Sequence, residues 1–418
     1  MNTAVNESPW VDRDALRITA VRAIVTAPEG IPLVVVKVET SDDGLYGLGC
    51  ATFTQRWQAV VAAVEQGVAP LVIGRHPADI EDLTRAVYYS SYWRNGPVLN
   101  NALSGLDMAL WDIAGKRHGV PVYELLGGRV RAAALTYLHA AGATVQDTIE
   151  HAAAIVARGW THVRLQTGQP GLGTYGAPGS ANAYPNAPYP DGWNVEHYLR
   201  TTPELFAQAR RELGAEVELL HDVHSRLTPT QAVLLARRLE EHRLFFLEDV
   251  VAPEHHDRLA EVRAASPVPI AVGELLSSVG EAAALVRERA IDYLRVHVSA
   301  VGGLTPARKL AAMCELVGVQ TAWHAPGDVS PIGAAANVAL DVMSHAFGIQ
   351  EAHNFADAAL EVFPGTLTAV AGYLTPSPAP GWGVDLDEEA ASRFPPGAPA
   401  YGGSAFVVRA PDGALRAP

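Results

Sequence analysis

Acidic residues recur along this chain at a constant spacing, each at the end of a short apolar segment. Asp222, Glu248 and Glu274 lie 26 residues apart and follow runs rich in Val, Leu, Ile and Phe. Three carboxylates that converge cannot all ionise unaided, because like charges raise one another's pKa. A site of oxygen ligands without cysteine favours Mg²⁺, with open positions for water and substrate. Alternatively, each acid is a helix N-cap or first-turn residue. The equal spacing of all three acids argues against this alternative.

Further polar residues lie at or near the ends of the apolar segments. His224 lies two residues after Asp222, and the later segments carry Arg295, His297, His324 and Glu351. Such a set suits proton abstraction beside a substrate carboxylate, with a metal that stabilises the resulting enediolate. A positioned base alone contributes roughly 10²–10⁴ in rate, whereas enzymes commonly reach 10⁶ or more, so base and metal are both needed. His297 repeats the two-residue relation to Arg295 but receives no role.

Eight short apolar segments position these residues, and helical patterns alternate with them. A spacing of about 26 residues matches one βα unit of a (β/α)8 barrel, which fills about 250 residues. The polar residues would then ring the C-terminal mouth of the barrel, where barrel enzymes keep their catalysts. A doubly wound open sheet is the structural alternative. The eight predicted strands are ALTYLHAA, HVRLQTG, VELLHDVH, LFFLEDVV, PIAVGELL, YLRVHVSA, QTAWHAP and FGIQEAH.

The remaining sequence divides around this repeat. Residues 1–16 are predicted to be a polar tail, and 17–131 an α+β capping domain that opens with a hairpin around SDDG. The α/β barrel is predicted over 132–365, and 366–418 is predicted to pack back on the capping domain. The long connection 169–193 is predicted to cover the site or to contact a neighbouring subunit, because long loops inside compact domains are usually functional or disordered.

Composition narrows the class of protein. The 418 residues carry a net charge of −14, which argues against nucleic-acid binding. Two distant cysteines exclude a disulfide framework, and with no predicted signal peptide or membrane span the expected location is cytoplasmic. The overall negative charge would repel an acidic substrate, so a site for one needs local cations.

Several motifs resemble the enolase superfamily, and within it the mannonate dehydratase subgroup. They are ALSGLDMALWDIAGK, IDYLRVHVSAVGGLTP, WHAPGDVSPIG, the arginine at Arg164 and the TYG at 174–176. CATFTQRW and YWRNGPVLNNALSG resemble members of the starvation-sensing or gluconate type. The resemblance covers the chain from about residue 17 to near its end.

The resemblance implies a dehydration of an aldonate, of the D-mannonate or D-gluconate type, to a 2-keto-3-deoxy sugar acid. It implies that Asp222, Glu248 and Glu274 hold Mg²⁺, that Tyr175 paired with Arg164 takes the C2 proton, and that His224 protonates the departing C3 hydroxyl. It also implies homo-oligomers, tetramers or octamers. The residues expected to contact substrate are His139, Glu274, Arg295, His324, Asp328, Glu351 and, in place of an Asn of mannonate-active members, Thr54.

Two alternative functions are consistent with parts of this sequence. Racemisation or cycloisomerisation on the same metal is disfavoured by His224 and by the Arg164–Tyr175 pair. A sugar-acid-binding or regulatory protein with little turnover is disfavoured by the intact carboxylate triad.

Overall fold

The structure is a computed structural model that describes residues 15–90, 92–174, 191–397 and 408–416. The predicted base, Tyr175, and most of the connection 169–193 lie outside the described residues. None of the helices in the described part of the chain combines the length and apolar character that a membrane span requires.

The first unit is an antiparallel three-stranded sheet covered by helices. Its strands are β1 (Ile18–Thr26), β2 (Leu33–Thr40) and β3 (Tyr46–Cys50), in that spatial order. Its helices are α1 (Trp57–Ala62), α2 (Ala69–Val72), α3 (Ile80–Ser90), α4 (Pro97–His118) and α5 (Val122–Leu125), and a π-helical segment Ala63–Val68 joins the first two.

Glycines let β3 lie directly on α4. A Cβ atom on Gly49 would come within 2.0 Å of the carbonyl oxygen of Gly105, so only glycine permits this approach. The sheet and helices enclose an apolar core of valine, leucine and alanine side chains of their own. The sequence 17–131 therefore folds with the α+β content that its hairpin and helical patterns predict.

Eight parallel strands form the second unit. They are β4 (Ala134–Gly142), β5 (His162–Thr167), β6 (Glu218–Asp222), β7 (Phe246–Glu248), β8 (Ile270–Val272), β9 (Tyr293–Leu294), β10 (Gln320–Thr321) and β11 (Gln350–Glu351). Consecutive strands pair from β4 to β10, and β11 pairs with β4. A parallel bridge between Thr321 and Phe347 joins β10 to the residues before β11, which closes the ring. The predicted (β/α)8 barrel with an α+β capping unit is confirmed.

Helices connect the strands on the outside of the barrel. They are α6 (Val145–Ala157), α7 (Val195–Leu213), α8 (Pro229–Leu239), α9 (Leu259–Ala265), α10 (Val279–Arg287), α11 (Leu304–Val317), α12 (Pro331–Met343) and α13 (Asp357–Val362). Local signals start several of them. Thr144 and Thr228 each form a capping box, in which the N-cap side chain and the third helical residue satisfy each other's backbone N–H groups.

Several strands end earlier than predicted. β9 spans only Tyr293–Leu294, so Arg295 and His297 lie beyond the strand and not within it. Likewise, β6 ends at Asp222, and His224 has a φ of 52°, in the left-handed region. His224 therefore does not follow Asp222 on the same face of a continuing strand, which its two-residue spacing would otherwise suggest. The chain turns there instead.

The C-terminal segment contacts both units. β12 (Tyr373–Leu374) pairs antiparallel with β4 of the barrel. α14 (Glu388–Ser392) lies beside β1, where the Thr26 hydroxyl donates to the carbonyl of Ala391. A last hairpin joins β13 (Val408–Arg409) to β14 (Leu415–Arg416). The domain boundaries after residues 16, 131 and 365 remain predictions from the sequence.

Candidate active site at the barrel mouth

The three spaced acids converge at the C-terminal ends of neighbouring strands. Asp222 ends β6 and Glu248 ends β7, and the two residues are direct partners in the strand register. Glu274 follows β8 by two residues. One carboxylate oxygen from each lies within 4.8 Å of the others. The equally spaced acids therefore meet at one end of the barrel, although Glu274 lies three positions beyond Ala271, the register partner of Glu248.

Two buried arginines lie between these acids. The Nη1 of Arg164 is 3.1 Å from Asp222 Oδ2 and donates to Glu248 Oε2 at 3.1 Å. On the other side, Arg295 Nε donates to Glu248 Oε1 at 2.6 Å, and its Nη2 donates to Glu351 Oε2 at 2.9 Å. The arginines thus place positive charge among the buried acids, in a chain whose net charge is −14.

The balance of burial and charge differs between the acids. Burial raises the pKa of Glu248 to about 7, with Arg295 opposing and Asp222 adding to the rise. Burial also acts to raise the pKa of Asp222, but the charges of His224 and Arg164 outweigh it and lower that pKa. For Glu274, His324 outweighs burial and lowers the pKa to about 2. Neighbouring cations therefore outweigh burial at Asp222 and Glu274 but not at Glu248.

Glu351, at the end of β11, lies within 4.0 Å of three residues predicted to contact the substrate, namely His139, Arg295 and His324. His139 Nε2 lies 2.5 Å from Glu351 Oε1, and His139 Nδ1 lies 3.1 Å from Arg164 Nη2. His324 Nε2 is 3.3 Å from Glu274 Oε2 and 4.0 Å from Glu351 Oε2. Burial, together with the charge of Arg164, lowers the pKa of His139 to about 4, so its ring is neutral at pH 7.

The turn after β6 brings His224 back over Asp222. Its backbone N–H donates to Asp222 Oδ1 at 2.7 Å, and its Nε2 lies 2.9 Å from Asp222 Oδ2. The side chain is about a quarter exposed, at 26%. His224 therefore lies at the edge of the carboxylate cluster, where a ring nitrogen can reach both the acids and a bound molecule.

Unsatisfied oxygens test whether the site fits a hard divalent cation. Asp222 Oδ2 and Glu351 Oε1 are buried and, among the described residues, have no hydrogen bond of acceptable geometry despite nearby cations. Buried polar atoms without a partner are uncommon and often mark an ion or water. Three converging carboxylates, one of which has an oxygen without a hydrogen bond to the described residues, suit Mg²⁺, so the residues fit the predicted metal.

Not every predicted residue joins this cluster. Asp328 forms a second group with His297 and His324, in which one possible ligand atom of each lies within 4.8 Å of the others. Thr54 is buried in the capping unit, and its hydroxyl donates to Gln55 Oε1 at 3.0 Å. No hydrogen bond links Thr54 to the barrel within the described ranges. Tyr175, as noted, lies outside them.

Sequence reasoning missed several residues that hold the cluster in place. The Tyr137 hydroxyl accepts from Arg295 Nη1 at 2.6 Å, and Gln166 Nε2 donates to the carbonyl of Asp222 at 2.9 Å. Buried Asp249 accepts from the backbone of Gly273 at 3.1 Å. For two of these residues, the sequence contained a pattern that could have identified them. Tyr137 precedes His139 by two residues and Gln166 follows Arg164 by two, and strand side chains repeat on one face at that interval.

Comparisons with known proteins agree over both units. Residues 11–127 match the mandelate racemase / muconate lactonizing enzyme N-terminal domain, and residues 147–390 match the enolase C-terminal domain-like family. A D-galactonate dehydratase family member of Catenulispora acidiphila is 65% identical over 98% of this chain and 96% of its own. A member from Pantoea ananatis is 47% identical over 96% of this chain and 99% of its own.

A solved structure supports the same assignment. A crystal structure of an enolase from Pantoea ananatis, with bound D-gluconate and Mg, superimposes with a TM-score of 0.90. It is 46% identical and covers 96% of this chain and 100% of its own. The chain therefore belongs to the enolase superfamily and, within it, to the D-galactonate dehydratase family, which confirms the superfamily predicted from its motifs.

Proposed function

We propose that this protein is a Mg²⁺-dependent dehydratase that converts an aldonate to a 2-keto-3-deoxy sugar acid. The observation that carries the proposal is the convergence of Asp222, Glu248 and Glu274 within 4.8 Å at the barrel mouth. A ring of arginine and histidine side chains surrounds them. The described site combines a place for a cation with donors for a polyhydroxylated anion.

The substrate is proposed to be D-mannonate or D-gluconate. The subgroup motifs support this range, and so does the D-gluconate bound in the related enolase. The relatives named for D-galactonate dehydratase make that aldonate the third one to test. All three are six-carbon anions with a hydroxyl at C2 and at C3, but D-mannonate and D-gluconate differ in configuration at C2, so the position of the base decides which of them reacts.

In the proposed mechanism, bound Mg²⁺ holds the substrate carboxylate and offsets the negative charge that develops when the C2 proton leaves. Tyr175 accepts that proton. A tyrosine has a reference pKa of about 10 and needs a nearby cation to favour the phenolate. Arg164 supplies that charge because guanidinium stays protonated in proteins. It lies at the cluster, 3.1 Å from Asp222.

His224 donates a proton to the C3 hydroxyl as the C–O bond breaks, and water leaves. Its Nε2, 2.9 Å from Asp222 Oδ2, is held close to the carboxylates. Acid and base are separate groups in this proposal. His224 approaches from the turn after β6, whereas Tyr175 belongs to the long connection after β5. The two can then act on different carbons of one substrate.

An assay of aldonates in the presence and absence of Mg²⁺ tests the proposal. We expect semicarbazide-reactive 2-keto-3-deoxy acid from D-mannonate, D-gluconate or D-galactonate, and no product after chelation of the metal. If every aldonate binds with Mg²⁺ in calorimetry but none turns over, a sugar-acid-binding or regulatory role replaces the enzymatic one.

We also propose that the chain assembles as a homo-oligomer of four or eight copies. Tyr92 and Trp93 are 80% and 79% exposed, which leaves a large apolar pair on the capping unit. The turn that carries them is tied near the barrel mouth, where Gly96 N donates to Ser277 O at 3.1 Å. Light scattering should give four or eight times the chain mass, and a monomer would contradict this.

A further inference from the structure

A second group of possible metal ligands lies beside the carboxylate triad. His297 follows β9, and His324 and Asp328 follow β10. One ligand atom of each lies within 4.8 Å of the others. His297 and Asp328 share no ligand role with the proposed Mg²⁺ site, and the dehydration proposed above leaves His297 without any task.

The polar atoms of this group lack partners. His297 Nε2, His324 Nδ1 and Asp328 Oδ1 are each buried without a hydrogen bond to the described residues. His297 is only 9% exposed and His324 only 4%. Buried polar groups in proteins nearly always have a hydrogen-bond partner, so three adjacent atoms without one point to a missing ligand.

The spacing of the two rings fits coordination of one ion. Their centroids are 5.4 Å apart with an interplanar angle of 40°. Zinc binds imidazole nitrogen at about 2.0–2.1 Å, which places two rings at a tetrahedral angle with centroids about 5 Å apart. Ligand atoms in such a site lie about 3.4 Å from each other, so small side-chain rotations from the observed positions suffice.

We propose that His297, His324 and Asp328 form a second metal site, which takes a nitrogen-preferring transition ion such as Zn²⁺. Two imidazoles and one carboxylate differ in kind from the all-oxygen triad. Imidazole suits zinc and other first-row transition ions, whereas Mg²⁺ prefers carboxylate and water. The two groups of ligands therefore prefer different cations although they lie side by side.

Occupation of this site has a consequence for the proposed reaction. His324 Nε2 is 3.3 Å from Glu274 Oε2, so the second site borders the first. His324 and Asp328 are also proposed substrate contacts. A bound Zn²⁺ would engage both side chains and withdraw them from the aldonate. Zn²⁺ should then inhibit in competition with substrate while Mg²⁺ stays bound.

Calorimetric titration of the full chain with Zn²⁺, in millimolar Mg²⁺, tests the proposal without relying on turnover. Wild type should bind one equivalent more than His297→Gln. The matched control is His255→Gln, which removes an exposed histidine from the surface pair at 255–256 and should keep that equivalent. Titration with Co²⁺ should give the visible absorption of a nitrogen-ligated ion in wild type, absent from His297→Gln.

Two results would overturn the second site. One is displacement of the extra Zn²⁺ by Mg²⁺, which would place it on the carboxylate triad. The other is equal Zn²⁺ uptake by wild type and His297→Gln, which would leave the unpartnered atoms to water or substrate hydroxyls. Because uptake is read directly, absence of dehydratase activity would leave this test intact.

Discussion

Arg295 and Glu248 form an ion pair in which neither side chain has any exposed surface, with Nε donating to Oε1 at 2.6 Å. The pair joins the residue after β9 to the end of β7 across the barrel mouth. Removing one partner of a buried pair costs about 3–5 kcal/mol, because the remaining charge stays buried without compensation.

Arg295→Met should therefore lower the free energy of unfolding of the metal-free protein by about 3–5 kcal/mol in urea denaturation. Glu248→Gln in the same background should recover part of this loss, since it removes the uncompensated charge. Arg295→Lys is the control that keeps the charge but not the branched donor. Additive effects of the two single changes would show that the pair is not energetically coupled.

Glu274→Gln should abolish Mg²⁺ binding and turnover while the fold survives. Glu274 is the least buried of the three acids, at 30% exposure, so its change leaves the core packing intact. Loss of a residue that only orients a ligand costs 10–100-fold in metal affinity, so loss of a direct ligand should exceed about 100-fold. The control is Glu281→Gln, on the exposed first turn of α10. Unchanged Mg²⁺ affinity would remove Glu274 from the ligand set.

Tyr175→Phe and His224→Gln should separate the two proton transfers. With Mg²⁺ and aldonate in D₂O, Tyr175→Phe should lose exchange of the C2 hydrogen, because the base is gone. His224→Gln should retain that exchange but form little keto-deoxy acid, because the leaving hydroxyl lacks its proton donor. Proton NMR follows both. Exchange retained by Tyr175→Phe would assign the base to another residue.

His162 should contribute to loss of stability in acid. Burial lowers its pKa to about 4, and its ring packs edge-on against Phe245 at 4.9 Å. Between pH 6.5 and 4 the unfolded chain binds more protons than the native state, so stability falls as the pH falls. His162→Gln should reduce that decline by about 2–3 kcal/mol in urea denaturation. The exposed His118→Gln should leave the decline unchanged, and an equal decline in His162→Gln would contradict the assignment.

Asp107 should have the opposite effect on the pH dependence of stability. Asp107 lies on α4, and its Oδ2 accepts a hydrogen bond from the backbone N–H of Thr305 at 2.9 Å. It thereby caps α11, because the N-cap residue Gly303 has no side chain. Burial raises its pKa to about 7. Above the unfolded value of about 3.9 and up to this pKa, the native state binds more protons, so stability falls as the pH rises.

Asp107→Asn should consequently be more stable than wild type at pH 8 by about 1–3 kcal/mol, with the gain shrinking toward pH 4. Asn keeps an acceptor for Thr305 but carries no charge. Denaturation at both pH values checks this, and the exposed Asp43→Asn serves as the control. A gain independent of pH would show that burial of the charge is not its cause.

The sequence by itself determined the barrel, the order of its strands and the placement of the three acids. Strand and helix periods are local properties, and a constant spacing from Asp222 to Glu248 to Glu274 repeats one βα unit at each step. The motifs also identified the superfamily, because they cover both units of the chain.

Only the tertiary structure decided how the polar side chains pair. Arg164 lies 84 positions from Glu248 in sequence, and Arg295 lies 158 from Tyr137, so no local pattern connects them. The left-handed turn at His224 and the group of His297 with His324 likewise depend on how strand ends and loops pack. Spacing brings the acids to the same end of the barrel, but contacts across its mouth depend on the direction and burial of each side chain.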